Sequence, residues 1–136
     1  MKGGANDLSF HALYSTESFS ADESSSDIAA IRFTFDQANK KIVRYVKNSN
    51  ATTFPALPVD GVLGSDLAEN IESFSVDYFD KASDLESGGG QPVWDSGPGA
   101  QNKLPALVRV RLTLRDSKGL ARPKDFETVI QLKNAI

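Results

Sequence analysis

The groups able to do chemistry in this chain are few and scattered. His11 is the only histidine. It stands beside Phe10 in a segment that alternates apolar and polar residues, and no nucleophile-elbow motif accompanies it. A triad or a metal centre needs more than one such group, so a structural or solvent-facing His11 is the better reading. Asp36 and Glu69 could be taken as a carboxylate pair, but nothing in their spacing requires them to meet as glycosidase chemistry would demand. There is no cysteine, which excludes disulfides, thiolate zinc sites and thiol catalysis together. Neither a phosphate loop nor a dinucleotide fingerprint occurs.

One loop does gather oxygen ligands. Asp77, Asp80, Asp84, Glu86 and Asp95 bracket the run Gly88-Gly89-Gly90, and carboxylates on a flexible loop suit Ca²⁺. The spacing is not that of an EF-hand, and acids beside glycine are ordinarily soluble loop. Trp94, the only tryptophan, stands in the same loop, either as a buried staple pinning it to a sheet or as an exposed anchor. The 80–103 loop is longer than a simple connection requires, which makes Trp94, Asp95, Gly88, Gly89 and Gly90 the candidate partner-binding residues. Arg109, Arg111 and Arg115 form a stripe able to grip phosphate, yet Glu127 on the neighbouring strand offers a partner across the sheet. Asn50-Ala51-Thr52 matches the N-glycosylation triplet, which means little outside a secretory eukaryotic context. The expectation is a protein that is no enzyme and needs no metal or cofactor.

The elements that must position these groups are mostly strands. Segments 8–14, 28–36, 41–46, 71–80, 107–114 and 126–132 alternate with the period of a half-buried strand. Val108, Val110, Leu112 and Leu114 fall on one face, with Arg109, Arg111, Thr113 and Arg115 on the other. Phe74, Val76 and Tyr78 face inward on their strand, and Phe126, Thr128, Ile130 and Leu132 share a face of the last one. Gln37-Ala38-Asn39-Lys40 turns a hairpin, since asparagine tolerates the left-handed conformation of a tight turn. The segment 65–70 reads as a short helix with Ser65 or Asp66 as N-cap and Glu69 reaching back. The Ser-rich acidic stretch 15–27 and the segment 48–60, with Pro55 and Pro58, read as loops. A small sheet cannot cover both of its faces, so either two sheets pack together or a covering helix lies elsewhere.

A chain of 136 residues with 40% hydrophobic and 24% charged residues fits one folded domain. Its net charge of -3 supplies no field to gather polyanions, so nucleic acid and anionic membrane surfaces are poor partners. No run approaches the roughly 18 apolar residues of a membrane-spanning helix, and no signal peptide is present. Met1-Lys2-Gly3-Gly4 reads as an introduced start rather than a native secretory one, and residues 1–5 as linker.

Several segments, in order, resemble the J-type minor pseudopilins of type II secretion systems and the related PulJ/PilW-like minor pilins. These are Ser26-Asp27-Ile28-Ala29-Ala30-Ile31-Arg32-Phe33-Thr34-Phe35 with its return Lys41-Ile42-Val43-Arg44-Tyr45, then Leu67-Ala68-Glu69-Asn70-Ile71-Glu72-Ser73-Phe74-Ser75-Val76-Asp77-Tyr78-Phe79-Asp80. Trp94 follows in its loop, and Leu104-Pro105-Ala106-Leu107-Val108-Arg109-Val110 opens the late strand as leucine-proline-x-x-valine-arginine-valine. Phe126-Glu127-Thr128-Val129-Ile130-Gln131-Leu132-Lys133-Asn134 is similar to the usual pilin-type ending.

The resemblance implies an α+β, mainly antiparallel β, pilin-like head domain, truncated before the β region. Such proteins begin with a basic leader, a glycine processing site and a hydrophobic helix carrying an early glutamate, none of which stands in this sequence. It further implies a structural subunit of a pseudopilus tip in the bacterial periplasm, anchored in the inner membrane through that helix, with I-, K- and H-type minor pseudopilins as partners. Calcium is not a motif of the J-type subunit. The alternatives are a minor pilin of a type IV pilus and a free-standing β-sandwich ligand-binding module, for which Phe54 and Trp94 would have to serve as the platform. Without its helix the head is expected to be monomeric or only weakly associating.

Overall fold

A computed structural model describes residues 1–13, 28–48, 64–97 and 103–132. Of these, 59% are in strands and 4% in helix. The order is β1 (Lys2–Gly4), β2 (Asp7–Leu13), β3 (Ile28–Asp36), β4 (Lys41–Asn48), β5 (Ser65–Ala68), β6 (Ile71–Phe79), a single turn α1 (Asp84–Ser87), β7 (Trp94–Asp95), β8 (Leu107–Leu114) and β9 (Lys124–Gln131). One sheet has six strands in the order β5-β4-β3-β2-β1-β7, the other three in the order β6-β8-β9, and every pairing is antiparallel.

This architecture corrects the expected α+β pilin-like head. The chain forms two antiparallel sheets in a β-sandwich-like arrangement, which share one core over part of their apolar faces. The predicted helix at 65–70 is instead the edge strand β5. Asp66 lies opposite Val43 in the register, and the Lys41 ammonium donates to its carboxylate at 2.9 Å. An isolated turn of helix gains little without packing, whereas β4 offers a ready backbone ladder at this edge. Asn70, at φ 59°, then turns the chain into β6.

The alternating segments otherwise appear as β2, β3, β4, β6, β8 and β9. In the β3–β4 turn the left-handed residue is Lys40, at φ 55°, rather than an asparagine. Asn39 contributes differently, donating its backbone N–H (3.1 Å) and side-chain amide (2.7 Å) to the Asp36 carboxylate. Lys2–Gly4 is no linker here: it pairs with β2 on one side and β7 on the other. Tyr14, the 15–27 stretch, Asn50-Ala51-Thr52, Phe54, Pro55 and Pro58 lie outside the described residues.

The core gathers Leu8 and Ile42 from the large sheet, Ile71, Phe74, Val76, Tyr78 and Val108 from the small one, and Trp94. The turn between β1 and β2 closes one side of the sandwich. Ala5 C=O accepts from the Val76 N–H at 2.8 Å, Asn6 C=O from the Phe35 N–H at 3.0 Å. The β6 edge of the small sheet is therefore covered. On the opposite side the inward face emerges into solvent: along one register row Tyr78 is 0% exposed, Val108 1% and Ile130 45%.

Candidate interaction surface

Of the 80–103 loop predicted to bind partners, residues 98–102 lie outside the described residues, and the described part is packed. Its single turn α1 ends at Gly88, whose φ of 74° is the left-handed cap that closes a helix, and the Gly89 N–H returns to the Asp84 carbonyl at 2.8 Å. Gly90 lies against the Phe79 ring, where an added Cβ would come within 2.9 Å of the ring edge. Gln91 exchanges backbone hydrogen bonds of 2.9 and 2.8 Å with Tyr78. Trp94 is 1% exposed; its indole N–H donates to Ser96 Oγ at 3.0 Å and to the Lys103 carbonyl at 3.1 Å. Its ring centroid lies 6.5 Å from that of Tyr78. Asp95 accepts from the Gly97 N–H at 2.8 Å and pairs with Lys2 at 3.2 Å. The Gly97 bond first, and Lys2 with it, hold the Asp95 carboxyl below the usual range. Of the five candidates, Gly88 and Gly89 lie exposed, Gly90 and Asp95 are half-buried, and Trp94 faces the core.

The acidic residues of this region are engaged one by one rather than as a cage. Asp77 accepts from Arg109 Nε (3.1 Å) and Nη2 (2.9 Å) and from Arg111 Nη2 (2.9 Å). Asp80 pairs with Lys103, and the Asp84 carboxylate accepts from the Lys81 N–H at 3.2 Å. Among the described residues no three histidine or acidic side chains are placed to hold a metal ion. Asp36 and Glu69 flank the half-buried Lys41, whose proton is held more firmly by its hydrogen bond to Asp66 and then by the charges of Asp66, Asp36 and Glu69. His11 sits half-buried opposite Ala30, its pKa lowered by partial burial and then by the N-terminal ammonium.

The arginine stripe is paired, though with different partners than the sequence suggests. Arg111 lies opposite both Ser75 and Glu127, yet it leans to Asp77 on β6. Arg109 stacks over Phe79 at 5.2 Å, which fixes its guanidinium beside the same carboxylate. Arg115 reaches Glu72 at 3.3 Å. A row of hydroxyls continues this face, Ser73 donating to Thr113 at 3.0 Å and Thr113 to Asp125 at 2.7 Å.

The surface left uncovered is the β9 margin. All eight of its residues are exposed, including Phe126 (50%), Val129 (39%) and Ile130 (45%). Phe126 is the one exposed aromatic ring among the described residues. Alternation in the sequence does place Phe126 and Ile130 on the inward face. It carries no signal that the sheet extends past its partner, because coverage depends on how the second sheet is set against the first. No protein family matches the chain, and no curated protein shows significant similarity to it.

Proposed function

We propose that the chain is a structural subunit of a periplasmic filament, a J-type minor pseudopilin of a type II secretion system that acts by assembling with I-, K- and H-type subunits at the inner membrane. The observation that carries this reading is the β9 margin: a full strand with apolar side chains on both faces, left without a cover among the described residues. Such a surface suits burial against another chain. The ordered motifs over residues 26 to 134 resemble that family, and the role asks for neither catalysis nor a cofactor. A minor pilin of a type IV pilus would use the same surface.

The two-sheet layout favours a second reading, a free-standing ligand-binding module. Against it, the described rings do not form an exposed row: Phe10, Phe33 and Phe35 are half-buried, and Phe74, Tyr78, Phe79 and Trp94 are buried.

Co-purification with the I-, K- and H-type subunits encoded in the same genome tests the proposal. The chain is expected to be retained, and Phe126→Glu or Ile130→Lys to reduce retention about tenfold, the effect of losing one interface anchor. Retention of none of the three, with the fold intact by circular dichroism, would sink the pseudopilin reading. Binding to a glycan array instead would favour the module.

A further inference from the structure

The free edge of β9 is built to pair with itself. The Leu132 N–H donates to the Ala106 carbonyl at 3.0 Å, next to the pairing of Leu107 with Gln131. Peptide groups alternate in direction along a strand. Phe126, Thr128 and Ile130 therefore turn theirs to β8, while Asp125, Glu127, Val129 and Gln131 turn theirs outward. The same alternation is visible across the sheet, where Val76 and Tyr78 on β6 use their outward N–H groups on Ala5 and Gln91. On β9 those outward groups meet no other strand of the described chain.

Edge strands in natural proteins are usually short, twisted away or blocked by charge. β9 is eight residues long and carries charges only in its first half, at Lys124, Asp125 and Glu127. A partner strand must keep apolar residues on the inward face, which restricts antiparallel registers of β9 with a copy of itself to those with an even sum. A register centred on Glu127 sets that carboxylate against its own copy. Centring on Val129 sets Phe126 against Leu132, which is already packed on its own core. Centring on Thr128 sets threonine against threonine and Phe126 against Ile130 twice over, and places Asp125 opposite Gln131 and Glu127 opposite Val129. No like charges face each other, and the two most exposed apolar side chains of the strand cover one another.

We infer that β9 pairs antiparallel with β9 of a second copy about a two-fold axis at Thr128, joining the three-stranded sheets into one of six strands. The contact goes beyond the filament role and does not depend on it. An edge pairing of this length falls below the roughly 1,200 Å² of a stable complex, so the dimer is weak and grows with concentration.

The absence of cysteine makes introduced thiols clean reporters. In this register Thr128 forms a non-hydrogen-bonded pair with its copy, with Cα atoms about 4.5 Å apart, within the range of roughly 4.4–6.8 Å that a disulfide spans. Under mild oxidation Thr128→Cys is expected to form covalent dimers about tenfold faster than Leu120→Cys, as pre-association raises the local thiol concentration. Leu120, at 86% exposed, is the control for random collision. Adding Ile130→Lys should return Thr128→Cys to the control rate. In a mixture, Phe126→Cys and Ile130→Cys should cross-link to each other in preference to themselves. Equal rates for Thr128→Cys and Leu120→Cys, or sedimentation of the parent as a monomer at every concentration, would overturn the inference, whatever the filament partners do.

Discussion

The Tyr78 hydroxyl donates to the Asp7 carbonyl at 3.0 Å, and so ties β6 of the small sheet to β2 of the large one. The bond is possible because Gly3 lies between them without a side chain; an added Cβ at Gly3 would collide with the phenol oxygen. Tyr78→Phe should cost about 1–2 kcal/mol, since the Asp7 carbonyl is left without that donor. Gly3→Ala should destabilise the parent but do somewhat less in the Tyr78→Phe background, where the closest clash is gone while the Asp7 carbonyl at 2.8 Å and the ring carbon Cζ at 2.9 Å remain. Urea midpoints of the two singles and the double variant check this coupling.

The same phenol makes the fold sensitive to alkali. Burial, and then the charge of Asp7, push its pKa well above that of an exposed tyrosine. In the unfolded chain the phenol ionises near pH 10. Stability from this group is therefore constant below about pH 10 and falls as pH rises further, because the unfolded state releases the proton first. Phenolate absorbance should show one of the three tyrosines ionising only as the protein unfolds. Tyr78→Phe should flatten the alkaline fall in the urea midpoint.

Trp94 tests the packing of the loop. Trp94→Ala should cost about 3–5 kcal/mol, the range for emptying a buried aromatic site. Trp94→Phe should cost less, losing the two indole hydrogen bonds but keeping most of the apolar contact. As the only tryptophan, the residue reports on itself. Emission should be blue-shifted in the native state and move to the red in step with loss of circular dichroism.

Gly88 and Gly90 are required for different reasons, which separate experimentally. Gly88→Ala meets no atom within 4 Å but must hold φ at 74°, a strain of about 1–2 kcal/mol that Gly88→Asn should relieve in part. Gly90→Ala is limited by the Phe79 ring, so Phe79→Leu should relieve it while leaving Gly88→Ala unchanged. Thermal melts of the paired variants discriminate strain from collision.

The strand pattern was legible wherever one face is apolar and the other wet, which covers β2, β3, β4, β6, β8 and β9. β1 was not, because Gly3 and Gly4 carry no side chain to show a period, and the reason for Gly3 lies far off in Tyr78. β5 read as a helix because Ser65, Asp66 and Glu69 satisfy the local signs of a capped start; the ladder of β4 and the charge of Lys41 outweigh them, and neither is local. Aspartates around a glycine run looked like a ligand set, but Asp77, Asp80 and Asp95 take cationic partners that only the fold brings near, and Asp84 takes the backbone N–H of Lys81. The β9 margin was half legible: the sequence tells which way Phe126 and Ile130 point, not whether anything stands opposite.

The path of the chain between β6 and β8 sets the order in which the molecule can assemble. These strands are neighbours in the small sheet, yet the segment joining them crosses to the large sheet and supplies its edge strand β7. The hairpins β3–β4 and β8–β9 close short loops and can form early. The β7 strand has nowhere to dock until β1 is in place, and β1 pairs with it across most of the length of the chain, Lys2 against Asp95 and Gly3 against Trp94. Such distant pairings bring their gain only after the loop between them has closed. Docking of Trp94 is therefore expected late in folding, with the first strand as the latch, and a stopped-flow rise of native Trp94 emission that lags the far-UV circular dichroism signal checks it.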